Sequence, residues 1–292
     1  MKRIHTLTAI LALSALALCA CGGIDSPESA VMEEVSAGAY RVTIPAEMYN
    51  LPIAFKATDK VYLYDITQDL YACDQNGTPV VLHPESFNSN STTCVLNGQV
   101  SFYRYDPETK LRTLVSVGQN DAFRLLLNVS EANTEAPSAS LFRYDGQNGT
   151  ADSARAHYYA ETTEVKMGTP GIIGRFYGMQ SMLDVSMTFR KEGTIVNPTL
   201  SKLTVSTDCD AIAATMNAMN GEIEPCELTL DSPSASEIHL SLAYRHGDEN
   251  DQLNFLAQDT EGHFFYAVAE MPVDGFMAGA TYSCQIVLDQ VN

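Results

Sequence analysis

Apolar and polar residues alternate with a period of two along short stretches of this chain, and Gly, Pro, Asn and Asp separate those stretches. Side chains on a strand point alternately to its two faces, so the pattern predicts strands. In AYRVTIP, residues 39–45, one face carries Tyr40, Val42 and Ile44. KVYLYDI (60–66), TPVVLH, QVSFYRYD, RTLVSV and AFRLLLNVS follow, with turn signals such as DQNGT and LNGQ between them. A second series begins near Met179 with SMLDVSMTF and continues through TLSKLTVST, CELTLD, EIHLSLAYR and HFFYAVAEM to the closing TYSCQIVLDQV. Between the series, EVKMGTPGIIGRFYG holds Gly168, Pro170, Gly171, Gly174 and Gly178 and reads as a boundary.

Helical patterning is confined to DSARAHYYA from Asp152, capped by Asp152 or Ser153, and to AIAATMNAM from Ala211. The expectation is therefore an all-β protein of two tandem β-sandwiches, each with roughly seven strands as in immunoglobulin-like layouts, at residues 38–168 and 169–292. Length agrees, because about 270 residues exceed the usual size of one core.

Ahead of the first predicted strand, Lys2 and Arg3 precede an apolar run from Leu7 to Ala20. A spanning helix needs about 20 such residues, so residues 1–20 read as a secretory leader. Leu18-Cys19-Ala20-Cys21 resembles the bacterial lipobox, which makes Cys21 the lipidation candidate and Cys19 part of the leader. Several acyl chains on one cysteine hold far more firmly than a single myristoyl group, at about 0.8 kcal/mol per buried methylene. Residues 21–37, small and acidic, have too little to bury and read as a flexible linker.

Composition narrows the partners. Formal charge is −19, and loss of Lys2 and Arg3 with the leader takes the mature chain to −21. Such a surface excludes nucleic acid and disfavours anionic headgroups. There is no Trp beside 14 Tyr and 11 Phe, and most of these aromatics alternate within strands, as core and cross-strand residues do. The cysteines fit an oxidising compartment: Cys73 and Cys94 flank one predicted loop and Cys209 and Cys226 another, as candidate disulfides, with Cys284 left over as a buried thiol.

Catalytic constellations are missing. The chain has no H-E-x-x-H, G-x-S-x-G, phosphate-binding loop or C-x-x-C, and His83, His157, His239, His246 and His263 do not fall at ligand spacing. The acidic HGDENDQ (246–252) lacks the twelve-residue calcium-loop pattern and reads as a solvated turn. No metal, cofactor or enzymatic activity is expected. Asp152-Ser153-Ala154 matches a short O-glycosylation pattern of Bacteroidetes, with a helix cap as the simpler reading of the same residues.

Three segments carry a resemblance to a known family. FKATDKVYLYD (55–65), YGMQSMLDVSMTFRKEG (177–193) and MAGATYSCQIVL (277–288) resemble segments of the Bacteroidetes fimbrillins, the FimA/Mfa-like lipoprotein pilins and their relatives. The resemblance implies two transthyretin-like sandwiches and a lipid-anchored outer-membrane precursor at the cell surface. It implies cleavage after the first strand by a trypsin-like protease, then assembly with other fimbrial subunits by β-strand addition, in the service of adhesion to a host or bacterial surface receptor. Mapped here, the strand to be removed is 39–45 and the next is 60–66. Arg41 lies inside the first, so the candidate cleavage residue is Lys56, where the family more often carries Arg. An uncut relative would serve as an anchor or accessory subunit. The competing reading is a surface lipoprotein that binds glycans for nutrient uptake, which calls for exposed, coplanar aromatic rings.

Overall fold

The computed structural model describes residues 29–85, 91–118, 120–128, 141–207, 212–217, 220–243, 251–272 and 274–291. The first half forms β1 (Val31–Ser36), β2 (Ala39–Met48), β3 (Val61–Asp65), β4 (Leu70–Tyr71), β5 (Val81–Glu85), β6 (Thr93–Tyr105), β7 (Arg112–Val115), β8 (Ala122–Leu127), β9 (Leu141–Arg143), α1 (Ala151–Ala156), β10 (Ala160–Thr162), β11 (Val165–Lys166) and β12 (Gly174–Gly178). The second forms β13 (Gln180–Lys191), β14 (Thr194–Val196), β15 (Leu200–Thr207), β16 (Ala213–Asn217), β17 (Ile223–Pro225), β18 (Leu228–Asp231), β19 (Glu237–Ala243), β20 (Gln252–Asp259), β21 (Phe264–Glu270) and β22 (Thr281–Val291). The all-β expectation holds. Among the described residues no helix is long and apolar enough to cross a membrane.

The first sheet corrects the expected open sandwich. Its strands run β2-β12-β10-β8-β3-β5-β6, and β6 pairs back to β2, so the seven close into a ring. Closure leaves these strands without a free edge and encloses one core that includes Val42, Ile44, Val61, Leu96, Phe102, Phe123, Leu125 and Phe176. Two sequence boundaries shift with it. Val31–Ser36, expected in the flexible linker, is a strand that pairs with β2 from Val31–Thr43 to Ser36–Ala39. The turn joining them needs Gly38, whose φ of +70° suits glycine and whose hydrogen faces Leu114, where a larger side chain would collide. At the other end, β12 lies beyond the expected boundary at residue 168 yet closes the ring, parallel to β2.

The second sheet runs β14-β13-β22-β21-β20-β15-β18, with β19 also on β13. Strand β21 pairs with β22 only from Phe264–Val291 to Tyr266–Asp289. Its buried side chains form a second core that includes Val185, Phe189, Leu203, Leu230, Leu240, Phe255 and Leu288. The predicted helix from Ala211 is instead strand β16, which pairs with β9 from the first half and with β17. Pairing and burial of Ala213 and Met216 in a third cluster with Tyr62, Tyr144 and Tyr159 override its helical composition. That cluster, together with Gln147 donating to the Ser241 carbonyl at 2.8 Å, fastens the halves together.

Inside the first half sits a buried carboxyl with one unsatisfied oxygen. Asp65 is fully buried; its Oδ1 accepts the amides of Thr67 and Gln68, while Oδ2 has no partner. Burial, with the neighbouring Asp121 carboxyl adding to it, pushes its pKa from 3.8 up to about 6 despite those two amides. The folded chain therefore holds this proton more tightly than the unfolded one, and the stability it contributes is present below pH 4 and lost as pH rises through 6. The difference corresponds to as much as about 3 kcal/mol. Asp65→Asn should melt at a higher temperature than the parent at pH 7.5 and lose that advantage at pH 4. Parallel melting-temperature profiles for the two proteins across this range would refute the assignment.

Candidate functional site: the second strand and its connecting segment

Strand β2 alternates, and its inward residues Tyr40, Val42, Ile44, Ala46 and Met48 are at most 6 % exposed. On one flank it pairs antiparallel with β6, from Ala39–Ser101 to Glu47–Thr93. On the other it pairs with β1 as far as Thr43 and then, in parallel, with β12 from Ala46 onward. Pro45, which has no N–H to give, falls in the gap between those two partners, where the ladder loses nothing by it. Strand β2 is thus a seated member of the ring, paired on both sides.

After Met48 the chain leaves the sheet. Tyr49 donates its amide to the Phe176 carbonyl at 3.0 Å, and Asn50 turns the backbone at a φ of 54°. Ile53 and Phe55 return to the core, Phe55 lying edge-on to Phe176 with ring centres 5.9 Å apart. Lys56 follows at the surface, where its Nζ meets Asp152 at 3.1 Å in an exposed ion pair of little energetic weight. Its backbone is held more firmly: the Lys56 amide donates to Asp59 Oδ2 at 2.8 Å, and the Asp59 amide donates to the Lys56 carbonyl at 3.0 Å.

Asp59 in turn receives both guanidinium nitrogens of Arg155, each at 2.9 Å. Arg155 Nη2 also donates to the Ala54 carbonyl at 2.6 Å. The short helix α1 presents Arg155 from its last turn, and its cap is Thr150, whose hydroxyl accepts the Ser153 amide, so neither Asp152 nor Ser153 has the expected capping role. Ser153 Oγ accepts the Asn148 amide at 3.1 Å. Between the segment and α1 lies a cleft of about 600 Å³ lined by Pro52, Ile53, Phe55, Lys56, Arg155 and Met182.

Other expected residues do not converge. The Cys73 amide donates to the Ser101 carbonyl, whereas Cys94 lies seven positions earlier on the same strand. At about 3.3 Å per residue that places them roughly 20 Å apart, far beyond the ~7 Å between Cα atoms that a disulfide spans. Both are free thiols. Burial pushes both up, Cys94 to about 12 with the Asp59 charge contributing, so neither is a reactive thiolate. Cys226 packs half-buried against the second core, as does Cys284. Cys21, Cys209, Asp248 and Glu249 lie outside the described residues.

The fold also gathers residues that sequence spacing passed over. Asp259, Glu261 and His263 meet at the β20–β21 turn with potential ligand atoms within 4.8 Å of one another. Asp259 Oδ1 accepts the amides of Glu261 and His263, and Oδ2 accepts from His263 Nδ1 at 2.9 Å, so the carboxylate is spent on closing the turn. The D-x-E-x-H spacing was the available signal. Among exposed aromatics, Tyr49 and Tyr177 face each other at 5.5 Å with their planes tilted by 54°, so they do not form a flat platform.

Comparison with known proteins finds no matching family model and no matching curated protein. Solved structures with similar coordinates include a candidate cell adhesion protein from Bacteroides uniformis, 13 % identical, covering 86 % of this chain and 96 % of its own, with a TM-score of 0.44. A candidate cell adhesion protein from Bacteroides ovatus is 14 % identical over 85 % of this chain and 93 % of its own, at 0.40. A fimbrial protein from the same species is 8 % identical over 85 % of this chain and 49 % of its own, at 0.33.

If β2 anchors the ring, truncating its centre should be costly. Ile44→Ala is expected to lower the stability of the first half by about 2–4 kcal/mol in urea denaturation. Thr43→Ala, half-buried on the opposite face, should cost under about 1 kcal/mol. Equal effects of the two would show that β2 does not organise this core.

Proposed function

We propose that this chain is a cell-surface fimbrial subunit or accessory lipoprotein, tethered to the outer membrane through Cys21 and assembled by strand exchange after cleavage next to Lys56. The observation that carries the reading is the seating of β2: a strand with its inward face wholly buried, bonded on both flanks, and joined to the rest by a surface segment bearing Lys56. Cutting after Lys56 and withdrawing the lead would strip β6 and β12 of their partner and leave an apolar slot one strand wide. Another subunit's alternating strand fills such a slot by restoring both ladders. The lead itself explains the tether, since Cys21 lies upstream of the cut and holds the subunit at the membrane until that bond is broken.

Cleavage of the bond after Lys56 is what separates a fibre subunit from a base. An uncut chain remains an anchor or accessory subunit. The glycan-binding alternative gains nothing from the tilted Tyr49–Tyr177 pair.

Two experiments test this reading. Treatment of the folded precursor with a trypsin-like protease should release the segment ending at Lys56 and yield SDS-resistant ladders, and Lys56→Gln should abolish both; a cut protein that stays monomeric would exclude a strand-exchanging subunit. In cells, Cys21→Ser should move the protein from the membrane fraction to the soluble one, and unchanged membrane association would remove the lipid tether.

A further inference from the structure

We propose that the Arg155–Asp59 pair is a latch that slows proteolysis of the peptide bond after Lys56 while the subunit is closed. Its purpose rests on the strand-exchange reading, but the latch can be tested without it. A protease needs its substrate segment to leave the body and extend, so cleavage of a folded protein follows the population of the opened form. The Lys56 side chain is exposed, which offers a recognition group, yet its peptide groups are not free. The amide on one side of the residue and the carbonyl on the other are both bonded to Asp59.

Asp59 is 3 % exposed, and the Arg155 fork fixes its carboxylate on two bonds while the same guanidinium holds the Ala54 carbonyl. One side chain on helix α1 thereby ties the chain both before and after the bond to be cut. Extension of the segment requires separating this shielded, charge-assisted pair, and such pairs are the strong ones. The exposed Lys56–Asp152 contact would give way readily. Charge and fork geometry are both needed, because lysine supplies one point charge where arginine supplies a bidentate match to the carboxylate and a third bond to Ala54. Arg155 and Asp59 both lie downstream of Lys56, so the latch remains with the body after the lead departs.

The test is limiting digestion of the folded full chain with a lysine-specific protease, following each cut by mass spectrometry in the parent, Asp59→Asn and Arg155→Lys. The bond after Lys56 should be cut at least about tenfold faster in both variants, the loss expected for a charge-assisted hydrogen bond, with the bonds after Lys191 and Lys202 cut at the parental rate. Parental rates at Lys56 in the folded variants would overturn the latch. So would a uniform rise at all three lysines, which would mean that the pair supports the whole fold instead of guarding one bond. Faster cutting without any SDS-resistant ladder would support the latch and count against strand exchange.

Discussion

The seating of β2 between β6 and β12 is the constraint on which the first half of the molecule depends. Every inward side chain of that strand is buried, and its backbone bonds supply one edge to each of two neighbours. A closed ring has no spare edge, which keeps a β-protein from pairing edge to edge with its neighbours. The same closure makes the ring vulnerable at one point, because removing a single strand creates two complementary edges and an apolar slot together.

The surface segment after β2 is built differently from the ring. It holds to the core by Ile53 and Phe55 and to helix α1 by the Arg155–Asp59 pair, and between these ties it exposes one basic side chain. A segment bound by a few discrete contacts can be released without unfolding what lies on either side. The junction between the halves is of another kind: five buried tyrosines, strands contributed from both halves and a buried glutamine network make it continuous with the cores. Release at the segment would therefore leave the two halves joined.

Much of the fold was legible because alternation is a local signal. The stretches around Tyr40, Val61, Phe123, Val185, Val205, Phe265 and Ile286 all formed strands where the period of two placed them, whereas strand β20 around Phe255 was not among those read from the pattern. Ring closure was not legible, since it depends on the parallel pairing of Gly174 with Ala46 across the whole first half. Strand β1 was hidden because VMEEVS is mostly exposed and acidic on an edge, so its composition resembles a linker. The stretch from Ala211 carried helix-forming residues that tertiary pairing overrode, and the two cysteines near the first predicted loop lay close in sequence but were separated by the length of β6. At the candidate site Lys56 was legible from charge and position, whereas the hold of Arg155 on Asp59 spans nearly a hundred residues and leaves no pattern in the sequence.

Occupancy of the slot tests the exchange of β2 most directly. The chain would be cut after Lys56 in vitro, the lead displaced with an excess of synthetic peptide AYRVTIPAEM, and hydrogen exchange measured on β6 and β12. An exchangeable β2 gives saturable binding of one peptide per chain, with amide protection on both strands restored to the level of the uncut protein. If the body binds no peptide, or binds it without restoring protection on both strands, β2 is not an exchangeable member of the ring.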